Sequence, residues 1–116
     1  MNIEGQNVLV LEDEIIIAFA LEDMLLDMGA VVVIASTVEE GFASIEKSDF
    51  TLAILDVNVN GVKSYPLAEE LHRRSVPIGF ATGYGGAEHP AQFASAPTLT
   101  KPYTKAQLAE FVENMA

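Results

Sequence analysis

The chain of 116 residues contains no cysteine, which excludes a disulfide framework and a cysteine-ligated zinc site. A cysteine-free sequence fits a reducing compartment. No stretch approaches the ~20 consecutive apolar residues that a membrane span requires. Residues 1–6 also lack the basic and apolar regions of a signal peptide. The expectation is therefore a soluble cytoplasmic protein. Basic residues are scarce as well: 6 Lys and Arg stand against 17 Asp and Glu, a net charge of −11. The phosphates of a nucleic acid would repel such a surface, so direct nucleic-acid binding is not expected. The charge reads either as simple solubility or as a preference for cations and partners with basic patches, and composition does not choose between the two. The length suits one domain, 1–116. With no linker, repeat or low-complexity tract, no output domain is expected.

What is present is a regular alternation. Val8-Leu9-Val10-Leu11 is wholly apolar and ends in Glu12-Asp13-Glu14, the pattern of a strand buried on both faces. Ile15 to Met28 reads as a helix with Gly29 at its C-cap. Val31 to Ala35 is a second strand. Ser36 or Thr37 then caps a helix over Val38 to Lys47, whose first turn holds Glu39 and Glu40. Leu52 to Leu55 is a third strand and ends at Asp56. Asn58, Asn60 and Gly61 mark a loop. Helix Tyr65–Arg74, strand Ile78–Ala81 ending at Thr82, a loop over 83–86 and a short helix over Pro90–Ala94 follow. A strand near Thr98-Leu99 leads to Lys101-Pro102, and a last helix spans Lys105–Met115 with Thr104 as N-cap. Apolar strands alternating with helices predict an α/β fold, a doubly wound five-stranded parallel sheet covered on both faces.

In such a sheet, ligands bind beyond the carboxyl ends of the strands, where the strand order switches. The residues at those ends are Glu12 and Asp13, Asp56, Thr82 and Lys101. Carboxylates ~4–5 Å apart repel by several kcal/mol at an effective dielectric near 20, so a cation is needed to offset the cost. Oxygen ligands suit Mg²⁺, which commonly shares its shell with phosphate oxygens. Asp56 is the candidate nucleophile, since a carboxylate can form an aspartyl phosphate. Asp13 and the backbone carbonyl of Asn58 are candidate metal ligands. Lys101 can neutralise a phosphoryl oxygen, and Thr82 can donate a hydrogen bond to another.

Leu9-Val10-Leu11-Glu12-Asp13-Glu14, Leu55-Asp56, Ala81-Thr82-Gly83 and Thr100-Lys101-Pro102 together resemble the motifs of bacterial response-regulator receiver domains. The resemblance spans essentially the whole chain. It implies the flavodoxin-like, CheY-like (βα)5 fold with strand order 2-1-3-4-5. It further implies phosphorylation of Asp56, direct Mg²⁺ binding by Asp13, and Glu12 acting through a metal-bound water. Thr82 and Lys101 would read the phosphoryl group. The donor would be a sensor histidine kinase or a histidine phosphotransfer protein, and the output would go to a downstream protein. The Lys101-Pro102 bond is expected to be cis. Two features depart from the family pattern. The first acid is Glu12 rather than Asp, and the aromatic switch position three residues before the lysine is Thr98. The run Phe80-Ala81-Thr82-Gly83-Tyr84-Gly85 resembles the FAT GUY subgroup of stand-alone receivers, and Tyr84 is the candidate for the switch role.

Two further readings belong with these. The helix over 15–28 carries Ile15, Ile16, Ile17, Phe19, Leu21, Met24, Leu25, Leu26 and Met28, more apolar residues than one buried stripe needs. Either the helix is deeply buried or it presents a docking face, with Ile16 and Tyr103 as candidate partner contacts. A monomer or weak dimer is expected. His72 and His89 have no partner histidine or well-placed acid in the sequence and read as surface residues. A phosphorylation-independent interaction module of the same fold is the alternative function. A dehalogenase-type phosphatase would place a second acid where Asn58 stands. A flavin carrier would need a Ser/Thr/Gly-rich first loop.

Overall fold

The computed structural model describes residues 2–83 and 89–115. Strands β1 (Asn7–Leu11), β2 (Val31–Ala35) and β3 (Leu52–Leu55) are followed by a small hairpin, β4 (Asn58–Val59) and β5 (Val62–Lys63). Strands β6 (Ile78–Thr82) and β7 (Thr98–Thr100) complete the set. Helices α1 (Ile15–Asp27), α2 (Val38–Lys47), α3 (Tyr65–Arg73) and α4 (Lys105–Glu113) connect or follow them. The main sheet is parallel throughout and runs β2-β1-β3-β6-β7. Counting only its own five strands, this is the expected order 2-1-3-4-5.

Period-two alternation, with a core on each face, explains why Val8–Leu11 and Leu52–Leu55 are apolar throughout. Leu9 and Leu11 face a core shared with Leu67 and Leu71 of α3, while Val8 and Val10 face a second core shared with Leu21 and Leu25 of α1 and Leu108 of α4. Local chemistry sets the helix ends. Thr37, not Ser36, caps α2 by accepting from the Glu40 amide at 3.0 Å. Thr104 and Gln107 form a reciprocal capping box on α4. Helix α1 stops at Gly29, whose φ of +87° lets Gly29 and Ala30 donate to Leu26 O and Leu25 O. On the far face, Gly79 lets α4 approach β6 directly. A Cβ there would lie 2.4 Å from Phe111 Cζ.

Three expectations change. The stretch read as a loop at Asn58–Gly61 is a hairpin, built on the positive φ of Asn60 (52°) and Gly61 (79°), as a two-residue Asn-Gly turn requires. The short helix expected over Pro90–Ala94 is a single 3₁₀ turn, Ala91–Phe93. The deeply buried alternative for α1 does not hold. Ala18, Leu21 and Leu25 are buried, but Ile15 and Ile16 are 64% and 81% exposed, and Phe19 and Leu26 are about half exposed at 53% and 49%.

Candidate functional site at the carboxyl edge of the sheet

Strands β1, β3, β6 and β7 end on one edge of the sheet, and each delivers a polar residue there. Glu12 and Asp13 follow β1, Asp56 follows β3, Thr82 closes β6, and Lys101 follows β7 directly, ahead of a cis bond to Pro102. Carboxylate oxygens of Glu12, Asp13 and Asp56 lie within 4.8 Å of one another, the one acid cluster among the described residues that could hold a metal ion. The Lys101 ammonium lies 3.0 Å from Asp56 Oδ2 and also pairs with Glu12 Oε1. The backbone places the lysine, because its amide donates to Thr82 O at 3.0 Å.

Glu12 is almost wholly enclosed, at 3% exposure, and both its oxygens are engaged. Oε1 accepts from Lys101, and Oε2 accepts from the Glu14 amide at 3.1 Å. Burial pushes its pKa up, against the opposing pull of Lys101 and the Glu14 amide. Burial alone would lower the Lys101 pKa, but the hydrogen bonds and charges of Glu12 and Asp56 outweigh it and hold the ammonium above its usual value. Asp13 Oδ2 accepts the Asn60 amide at 2.9 Å, which ties the hairpin to the cluster. Three carboxylates against one ammonium leave a surplus of two negative charges when all are ionised. The donor set is all oxygen, so a hard divalent cation fits both the charge and the chemistry.

Not every sequence-predicted residue lies in the cluster. Thr82 is on the same edge but fully buried, and Asn58 is half-buried in the hairpin with its side-chain Oδ1 enclosed and unpartnered. Tyr84 lies outside the described residues. Ile16 and the half-buried Tyr103 line a groove of about 730 Å³ that also reaches Asp13, Asp56 and Lys101. The acidic cluster thus opens onto the apolar side of α1. Burial raises the pKa of the Tyr103 hydroxyl. His89 is a correction. It is a half-buried residue with both ring nitrogens engaged, not a surface one, and no sequence spacing marks it because its partners lie 24 and 9 residues away. The Asn60 amide contact was also missed, although the Asn-Gly pair was the available signal for the hairpin that makes it.

A parallel sheet in this order, with acids, a hydroxyl and a lysine along its carboxyl edge, defines a flavodoxin-like α/β domain. Residues 8–113 match the family model described as response regulator receiver domain, and the chain belongs to that family. Among solved structures it is similar to SdrG from Sphingomonas melonis Fr1, at 36% identity over 97% of this chain and 96% of that one, with a TM-score of 0.80. It is similar to a putative response regulator from Chloroflexus aurantiacus, at 26% identity, 96% and 97% coverage and a TM-score of 0.82. In fold alone, at 22% identity, 94% and 95% coverage and a TM-score of 0.79, it resembles the receiver domain of sensor kinase PA1611 from Pseudomonas aeruginosa, described with magnesium in its active-site cleft. No curated protein matches in sequence. Among the described residues, no helix is long and apolar enough to cross a membrane.

Proposed function

We propose that this receiver domain is a Mg²⁺-dependent phosphoacceptor in which Asp56 carries the phosphoryl group. The observation that carries the reading is the Lys101 ammonium 3.0 Å from Asp56 Oδ2 inside a carboxylate cluster with a two-charge surplus. An Asp56 oxygen attacks phosphorus, the bond from phosphorus to the donor's imidazole nitrogen breaks, and that nitrogen keeps the electron pair. Asp13, Asp56 and the Asn58 carbonyl would hold the ion, with Glu12 behind them. When bound, Mg²⁺ supplies neutralisation of phosphoryl charge. Lys101 neutralises a phosphoryl oxygen and Thr82 donates to another.

The donor is a sensor histidine kinase or histidine phosphotransfer protein, met at the apolar face of α1 around Ile16 and Tyr103. That face borders the groove leading to Asp56. The output passes to a downstream protein, from a cytoplasmic monomer or weak dimer that assists its own phosphorylation and dephosphorylation. Intact-mass measurement after incubation with acetyl phosphate tests the reading. One phosphoryl adduct is expected with Mg²⁺ and none after chelation or in Asp56→Asn. A folded natural chain that takes no adduct with Mg²⁺ present would make the domain a phosphorylation-independent interaction module.

A further inference from the structure

A second polar cluster lies away from the acids, half-buried between α3, β6 and β7. The Tyr65 hydroxyl is 2.8 Å from His89 Nδ1, and His89 Nε2 is 3.0 Å from Thr98 Oγ1. Thr98 Oγ1 in turn donates to Ala96 O at 3.3 Å. That last bond sets the role of the Thr98 hydroxyl. With the Thr98 hydroxyl donating to Ala96, its oxygen accepts from Nε2–H. In the neutral imidazole, Nδ1 then accepts from the Tyr65 hydroxyl and both ring nitrogens are engaged. The imidazole ring centroid lies 4.4 Å from that of Phe80 and edge-on to Tyr65 at 5.7 Å, while Phe93 stacks on Tyr65 at 6.0 Å. One side chain therefore touches the first residue of α3, the middle of β6 and the first residue of β7, and it immediately precedes the 3₁₀ turn. Burial lowers the imidazole pKa and so favours the same neutral form.

The β7 end of this chain is held by one neighbouring strand and by the buried Leu99. Strand β7 is three residues long and lies at the edge of the sheet, paired only to β6. Thr98 lies opposite Phe80, and Lys101 follows the strand directly. We propose that His89 is a conformational latch that holds the 3₁₀ turn and the start of β7 on the α3 side of the sheet, so that this block moves as a unit when the latch opens. The consequence for signalling rests on the phosphoacceptor reading, because β7 leads into the lysine that faces Asp56. The latch itself does not depend on it.

Backbone hydrogen exchange on the unphosphorylated protein tests the latch. The reporters are the amides of Phe93, Ala94 and Ala96, which bond to Pro90, Ala91 and Phe93 carbonyls within the block. His89→Phe keeps the ring among Phe80 and Tyr65 but removes both hydrogen bonds. It should raise exchange at these amides about tenfold, the scale of one to two neutral hydrogen bonds, with β1 and β3 amides unchanged. Tyr65→Phe, which removes one bond and serves if His89→Phe does not fold, should give a smaller rise. Unchanged exchange in the folded variants would overturn the latch.

The regulatory consequence has its own arm, read on protein whose adduct has been confirmed by mass. Phosphorylation should speed the same amides in the natural chain and add little in His89→Phe. Equal exchange before and after phosphorylation would overturn the coupling. Absence of an adduct in the mass spectrum would instead count against the phosphoacceptor reading, and the unphosphorylated exchange result would stand by itself.

Discussion

Helices α1 and α2 leave the same sheet from neighbouring strands, yet they are finished in opposite ways. Helix α2 has a Thr37 N-cap, Glu39 and Glu40 in its first turn and Lys47 in its last, the arrangement that complements a helix dipole facing water. Its outer side continues into an ion network, where Arg74 reaches Glu46 at 2.6 Å, Glu70 at 2.8 Å and Ile45 O at 2.9 Å. Helix α1 has no side-chain cap, no acid in its first turn and no base in its last, and it turns Ile15, Ile16, Phe19 and Leu26 outward. An outer surface so different on two equivalent helices is not explained by folding, since the inner residues of both are buried alike. The apolar exterior lies on the helix that borders the groove reaching Asp56.

The comparison can be broken at three depths. On the inner side of α1, Leu25→Ala empties a fully enclosed position and should cost about 2–5 kcal/mol, read from the urea midpoint. A loss near zero would mean that α1 is not anchored as described. At the α2 terminus, Thr37→Ala removes the bond to the Glu40 amide and should cost about 1 kcal/mol. Retention of full stability would show that Glu40, held by the Ser36 amide at 2.8 Å, caps the helix unaided. On the outer side of α1, Ile16→Glu should change stability by less than about 0.5 kcal/mol. It should nevertheless slow phosphoryl transfer from a protein donor while leaving acetyl phosphate labelling intact. Equal transfer rates for variant and natural chain would remove α1 from the docking surface.

Much of the architecture was legible because parallel strands covered on both faces must be apolar at every position, and runs such as Val8–Leu11 and Leu52–Leu55 admit few other readings. The acid edge was legible for a related reason, since Glu12-Asp13 and Asp56 abut the ends of such runs. What escaped reading was set by tertiary contact. Nothing in the spacing of Glu12 and Lys101 shows that the longer acid is enclosed and takes the lysine and the Glu14 amide together. His89 looked like an isolated surface residue because Tyr65 and Thr98 meet it only after the sheet forms. The exposure of α1 was undecidable from a sequence apolar on nearly every face. The hairpin has its sequence signal in Asn60-Gly61, but its two-residue strands fall below the length at which alternation becomes visible.

Gly79 carries a consequence for how such a sequence can drift. Its missing side chain is the space into which Phe111 and Met115 fit, with Met115 Cε 3.1 Å from where a methyl would stand. A first step to alanine at 79 meets the ring of Phe111, and a first step to a smaller residue at 111 leaves a void against β6. The two positions therefore form a pair that mutation crosses most easily in both at once, and descendants of this chain should inherit them together.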